Sequence, residues 1–190
     1  MVQRRNVDDD ISATTLDLLR AKGPRSVTVE AVAAQSGIAK TTIYRRHRDR
    51  RDMLSLALSQ VAAPEPLPPD TGAADRLRWV IKQAVRAVEA GIGFGGFAAL
   101  LTDEDPEFTT LFRQILLDQR TELESVIEAG TSDGSLHADV DAATLIDAMV
   151  GTVIAERART GNVAAGWDTR LFDLFWPVVR PPDEDGNIPA

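Results

Sequence analysis

TVEAVAAQSGIAKTTIYRRHRDRRDML, residues 28–54, carries the reading that decides the fold. Thr28 stands where a helix N-cap belongs and Glu30 falls in the first turn behind it, so a short helix is predicted to run until just before Gly37. Val29, Val32 and Ala33 supply its inner face. A second short helix is predicted over about Ala39 to Arg46, and after a further break Asp49 can cap another, with Asp52 placed to reach back in a capping box. Short helix, four-residue turn with Gly, short helix is the spacing of a helix-turn-helix, whose second helix lies in the major groove of DNA.

Outward from this stretch the pattern stays helical. Upstream, Ile11, Thr15, Leu18 and Leu19 recur at spacings of three and four behind Asp8 to Asp10, whose charge suits a helix N-terminus, and Gly23 and Pro24 end that helix at about Lys22. Downstream, AAPEPLPPD at residues 62–70 contains four of the ten prolines and reads as the best boundary in the chain. Beyond it helices are predicted over about Ala73 to Ala90, Ile92 to Leu101, Glu107 to Ala129, Asp141 to Thr160 and Trp167 to Val179. The expected architecture is all-α: a three-helix helix-turn-helix DNA-binding domain over 1–60, a larger helical domain over 61–180, and a disordered tail over 181–190.

Charge divides the chain at the same place. A net charge of -8 for the 190 residues argues against nucleic acid, but residues 1–60 hold 11 Lys or Arg against 7 Asp or Glu, while residues 61–190 hold 10 against 22. The basic half is the half with the helix-turn-helix. The absence of Cys excludes disulfides and thiolate chemistry, and the two histidines, His47 and His137, fall in different expected domains, so neither a metal site nor a cofactor is expected. No apolar run is long enough to span a bilayer and no secretory pattern opens the chain, which reads as a cytoplasmic protein without a membrane partner.

Within the helix-turn-helix, Ile38 and Ile43 point back into the three-helix core, leaving Lys40, Thr41, Thr42, Tyr44 and Arg45 outward, where they can donate to phosphates or base edges. On these residues the run 28–54, with ATTLDLLRAKG ahead of it, resembles the N-terminal domain of the tetracycline-repressor-like family of bacterial transcriptional regulators. The resemblance implies that Thr42 and Tyr44 serve mainly the DNA backbone, that Lys40, Thr41 and Arg45 read bases, and that Arg50 contacts a phosphate. With Thr28 and Arg46 these form the expected DNA-binding set. Two positions depart from the family pattern: Ala39 replaces a capping Ser, and His47 replaces an aromatic residue after the third helix, so packing there must differ.

The rest of the chain has to be read against simpler alternatives. GIGFGG at residues 91–96 matches a dinucleotide fingerprint literally, yet a helical stripe from Leu77 to Val88 precedes it where a strand is required, so it reads as a helix break whose missing side chains permit close packing or ligand entry. Asp103, Glu104 and Asp105 read as a solvated helix end. No nucleophile and base arrangement points to an enzyme. Phe94, Phe97, Leu100, Phe108, Phe112 and Leu116 can line either a filled core or an effector pocket, and the resemblance implies that this domain holds a small-molecule effector whose occupancy changes the separation of two reader heads. Apolar rows along residues 141–160 and 167–179, with Leu145, Met149, Val153, Leu171, Leu174 and Phe175, are the expected homodimer interface, the alternative being that they belong to the subunit's own core, as part of the stripe must. The function expected is a dimeric, ligand-responsive repressor of an operator on double-stranded DNA; a ligand-independent DNA-associated scaffold, or a helical enzyme, is the alternative.

Overall fold

A computed structural model describes residues 6–181, and every regular element among them is helical. In chain order these are α1 (Val7–Lys22), a 3₁₀ turn (Pro24–Ser26), α2 (Val29–Ser36), α3 (Lys40–Arg46), α4 (Arg50–Ala62) and α5 (Ala73–Arg86). There follow a π-helical turn (Ala87–Ile92), α6 (Gly93–Leu101), α7 (Pro106–Ser132), α8 (Ala142–Thr160) and α9 (Trp167–Val179). The all-α expectation holds, and most boundaries fall where a cap or stop residue puts them. Asp49 accepts from the Asp52 backbone N–H at 2.8 Å, and Asp141 accepts from that of Thr144 at 3.1 Å. At α1 the cap is Asn6, and Asp8 to Asp10 sit inside the first turn, where three carboxylates face the positive end of the helix dipole. The expected tail at 181–190 lies, beyond Pro181, outside the described residues.

The described chain forms two compact units, 6–63 with 86–117, and 64–85 with 118–181. The prolines of 62–70 mark the first crossing between them, but residues 86–117, which the sequence groups with the second domain, cluster with the first. Ile92, Leu100, Phe108, Leu111 and Phe112 are buried in the same apolar cluster as Ile11, Leu19, Val32, Ile43, Met53 and Leu58. These side chains enlarge the apolar core that α1 to α4 form among themselves.

The GIGFGG segment joins that core as a helix break. Gly93 takes φ 70°, which a side chain would strain, and a Cβ added at Gly96 would stand 2.9 Å from Cβ of Ile92. Its glycines serve close packing.

In the second unit cross-links tie four helices. Gln119 of α7 donates to the Gln83 carbonyl of α5 at 2.8 Å, and Arg120 of α7 pairs with Asp147 of α8 at 3.0 Å. Arg170 of α9 pairs with Glu156 of α8 at 2.8 Å, while the Arg78 guanidinium of α5 lies 3.5 Å from the ring centre of Phe172 in α9. Pro177 does not end α9, which continues to Val179 and closes with the Arg180 N–H on the Trp176 carbonyl at 2.9 Å.

Candidate nucleic-acid interface

The turn between α2 and α3 is built by local hydrogen bonds. Thr28 Oγ1 accepts from the Ala31 N–H at 3.0 Å and caps α2; at the other end Gly37 takes φ 72° while its N–H donates to the Ala33 carbonyl at 3.0 Å. Ser36 Oγ accepts from the Ile38 N–H at 3.2 Å and bridges into the turn. Ala39 offers α3 no side-chain cap, as its departure from the family pattern implies. The helix is held instead by Ile43, fully buried against the first unit's core.

With Ile43 inward, helical geometry turns Thr41 and Arg45 to the opposite side and Tyr44 to the flank, while Lys40, one turn before Ile43, extends from the start of the helix. All four are exposed, Tyr44 to 52%, and Thr42 is half-buried. Lys40 Nζ donates to Glu30 Oε1 at 3.2 Å across the turn. The Glu30 carboxyl is held below the usual range, first by a hydrogen bond from its own backbone N–H and then by Lys40. Arg46 donates to Asp8 of α1 at 2.6 Å, and Arg45 has no partner among the described residues. The surface of α3 is thus one of extended donors over a single apolar anchor.

His47 follows α3 and is 4% exposed, with no hydrogen-bond partner for Nε2 among the described residues. It occupies an aromatic residue's place in the core and keeps a polar edge there.

Arg50 departs from expectation. Its guanidinium is held inside the unit: Nε donates to the Val27 carbonyl at 2.7 Å, Nη2 to the Pro24 carbonyl at 2.8 Å and to Asp105 Oδ2 at 2.5 Å, and Nη1 to the Glu107 carboxylate. Asp105, expected as part of a solvated acidic end, is buried, and its Oδ1 accepts from the Phe108 N–H at 3.1 Å, capping α7. The signal was present in the order Asp105, Pro106, Glu107, an N-cap followed by a proline in the first helical position.

The expected effector and dimer residues are redistributed by the structure. Leu100, Phe108 and Phe112 are buried in the first unit's core, where the two phenylalanine rings stack 5.7 Å apart, and Phe97 and Leu116 pack against it; Phe94 is half-buried. Among the dimer residues, Met149 and Val153 are 0% and 1% exposed in the single chain, and Leu171 is buried too, so these three offer a partner almost no new surface; Leu145, 8% exposed, lines a groove with the remaining two. Leu174 is 59% exposed and Phe175 half-buried. These two, with Thr144, Ala148 and Val178, line an open and largely apolar groove of ≈540 Å³ between α8 and α9.

An exposed donor-rich helix set on a helix-turn-helix defines a DNA-binding protein, and comparison with known proteins gives its family. Residues 11–57 match the family described as "Bacterial regulatory proteins, tetR family", and residues 68–174 match "Tetracyclin repressor-like, C-terminal domain". The chain belongs to the tetracycline-repressor family of transcriptional regulators and is a sequence-specific DNA-binding regulator; DNA binding and dimerisation come with that membership. It is similar to YdeS of Bacillus subtilis (strain 168), an uncharacterized HTH-type transcriptional regulator, with 25% identity over 161 residues covering 80% of this chain and 78% of the relative. A transcriptional regulator from Rhodococcus sp. Rha1 shares the fold at 18% identity, with a TM-score of 0.63 over 89% of this chain and 93% of the other. So does a regulator from Saccharomonospora viridis solved in complex with choline, at 19% identity and a TM-score of 0.62 over 91% and 97%. Among the described residues no helix is long and apolar enough to cross a membrane, and no group of three or more His, Asp or Glu could hold a metal ion.

Proposed function

We propose that the protein is a cytoplasmic, dimeric repressor that reads its operator through α3 and leaves it when a small molecule binds. The observation that carries this reading is the exposed face of α3, where Lys40, Thr41, Tyr44 and Arg45 stand clear of the core on a helix anchored by Ile43. In this account Lys40, Thr41 and Arg45 address base edges, and Thr42 and Tyr44 address the DNA backbone. Thr28 and Arg46 flank that face, and Lys40 exchanges Glu30 for DNA on binding.

A symmetric operator needs two such helices about one DNA turn apart, hence a two-fold dimer. The surface that supports it lies outside the buried rows. Leu174, Phe175 and Val178 on α9 and Thr144 and Ala148 on α8 line the apolar groove, and Gly151 and Thr152 extend the α8 side one turn on. A Cβ at Gly151 would meet nothing within 4 Å in the single chain, which leaves room for a partner helix. The choline held by the Saccharomonospora viridis relative is a precedent for a small ligand on this fold. Such a ligand acts only through a higher affinity for the arrangement that does not fit DNA.

Duplexes recovered from a randomised pool by the full-length protein provide the test. The reading expects a two-fold symmetric site bound by two chains, and displacement of the protein from it by at least one member of a metabolite library. A single chain on an asymmetric site would overturn it.

A further inference from the structure

Arg50 opens α4, and its four hydrogen bonds join three parts of the first unit. The Val27 and Pro24 carbonyls belong to the turn that leads into α2, while Asp105 and Glu107 stand at the start of α7. The side chain is only 22% exposed. Asp105 faces Arg50 with one oxygen and caps α7 with the other, so a single carboxylate fixes both the guanidinium and the helix. Arg25 adds a parallel link, its Nε donating to the Glu104 carbonyl at 2.9 Å. A planar fork with five donors can serve four acceptors that diverge in this way; a lysine ammonium on a flexible stem cannot.

We propose that Arg50 is a positioning residue for DNA reading and that Asp105 and Glu107 are the acceptor half of the same device. The clamp sets the turn before α2, and with it the α2–α3 pair, against α4 and α7. Arg50 is then not a phosphate ligand. Two acidic side chains from the acidic part of the chain become part of the reading apparatus, through contacts that never touch DNA. This inference rests on the proposed reading by α3, and it concerns how that helix is held rather than which bases it meets.

The test uses the full-length protein and two probes, the duplex recovered from the randomised pool and a scrambled duplex of equal length, titrated over a salt series with Arg45→Ala as a control. Arg50→Lys keeps the charge and loses the fork. It is expected to weaken binding to the recovered duplex about tenfold, the scale of a lost charge-assisted hydrogen bond, with the salt slope unchanged because no phosphate contact is removed. Glu107→Gln, which leaves the α7 cap intact, is expected to lower the preference for the recovered over the scrambled duplex about threefold, again at constant slope. Circular dichroism checks folding, and if Arg50→Lys does not fold, Glu107→Gln decides alone. Wild-type affinity in a folded Arg50→Lys, or tighter binding by Glu107→Gln with a slope steeper by about one, would identify Arg50 as a phosphate ligand and overturn the proposal. If Arg45→Ala also binds both duplexes as the wild type does, the reading by α3 has failed; if only the Arg45→Ala effect survives, the clamp alone has failed.

Discussion

α3 and α8 present the same question with opposite outcomes. Helix α3 buries one side chain, Ile43, and leaves a row of polar residues in solvent; α8 buries Leu145, Ile146, Met149 and Val153 within the single chain and leaves small residues outside. A polar row opposite a single apolar anchor has one stable orientation, so its outward face can be read from spacing. An apolar row is equally stable against its own subunit or a partner's, and only the fold decides which. In the proposed reading, function on α3 therefore rests with the residues that stand out, and on α8 and α9 with the small and apolar residues left over after the core is filled.

The largest effect that sharpens this contrast comes from charge at two neighbouring sites. Met149→Glu places a carboxylate where exposure is 0%, and is expected to cost on the order of 3–5 kcal/mol in chemical denaturation at fixed protein concentration. Leu174→Glu, at a side chain already 59% exposed, is expected to keep its helical circular dichroism and sediment as a monomer. A folded, monomeric Met149→Glu beside a dimeric Leu174→Glu would reverse the assignment of core and interface.

On the α3 side, Arg45→Ala is expected to remove about 1–3 kcal/mol of discrimination between the recovered and scrambled duplexes, with little change in thermal stability, because the side chain is exposed and has no partner among the described residues. Equal losses on both duplexes in anisotropy titrations would move Arg45 to the backbone. A smaller effect is expected just behind the helix. His47→Phe restores an aromatic residue at a buried site and removes Nε2, which has no partner among the described residues, for an expected gain of about 1 kcal/mol in denaturation midpoint analysis. A loss of stability would mean that the imidazole edge has a partner the fold needs.

The smallest expected effect lies in the second unit. Asp133 is held down to about 2, first by hydrogen bonds from the Ser135 hydroxyl and backbone N–H and then by Arg76. Because the folded-state value is depressed, its contribution to stability is complete above the ordinary value of 3.8 and disappears as pH falls through about 2. Asp133→Asn should therefore flatten the acid limb of a pH–stability curve between those values and leave its shape at neutral pH unchanged.

Much of this fold is legible in the sequence because its ends are marked by local chemistry. Thr28, Gly37, Asp49 and Asp141 each satisfy backbone groups within a few residues of themselves, so their roles follow from short stretches. The destinations of Phe108 and Phe112 are not legible in that way. They share one buried cluster with Ile11 and Leu58, far away along the chain, and the same residue types would serve a pocket equally well. Arg50 is the sharper case: its position beside a basic helix end suggests DNA, whereas its carboxylate partners stand 55 and 57 residues further on. Periodicity reports which side of a helix is apolar, and it carries no information about which distant element covers that side.

Selection from a randomised duplex pool, run in parallel with the wild type and Arg45→Ala, tests the central claim that α3 reads bases from a two-fold dimer. The expected outcome is a symmetric wild-type site whose half-sites lie about one helical turn apart, or a multiple of it, and a variant that loses base preference at one position in each half-site while keeping the others. A wild-type site without symmetry, or an Arg45→Ala profile identical to the wild type at every position, would contradict it.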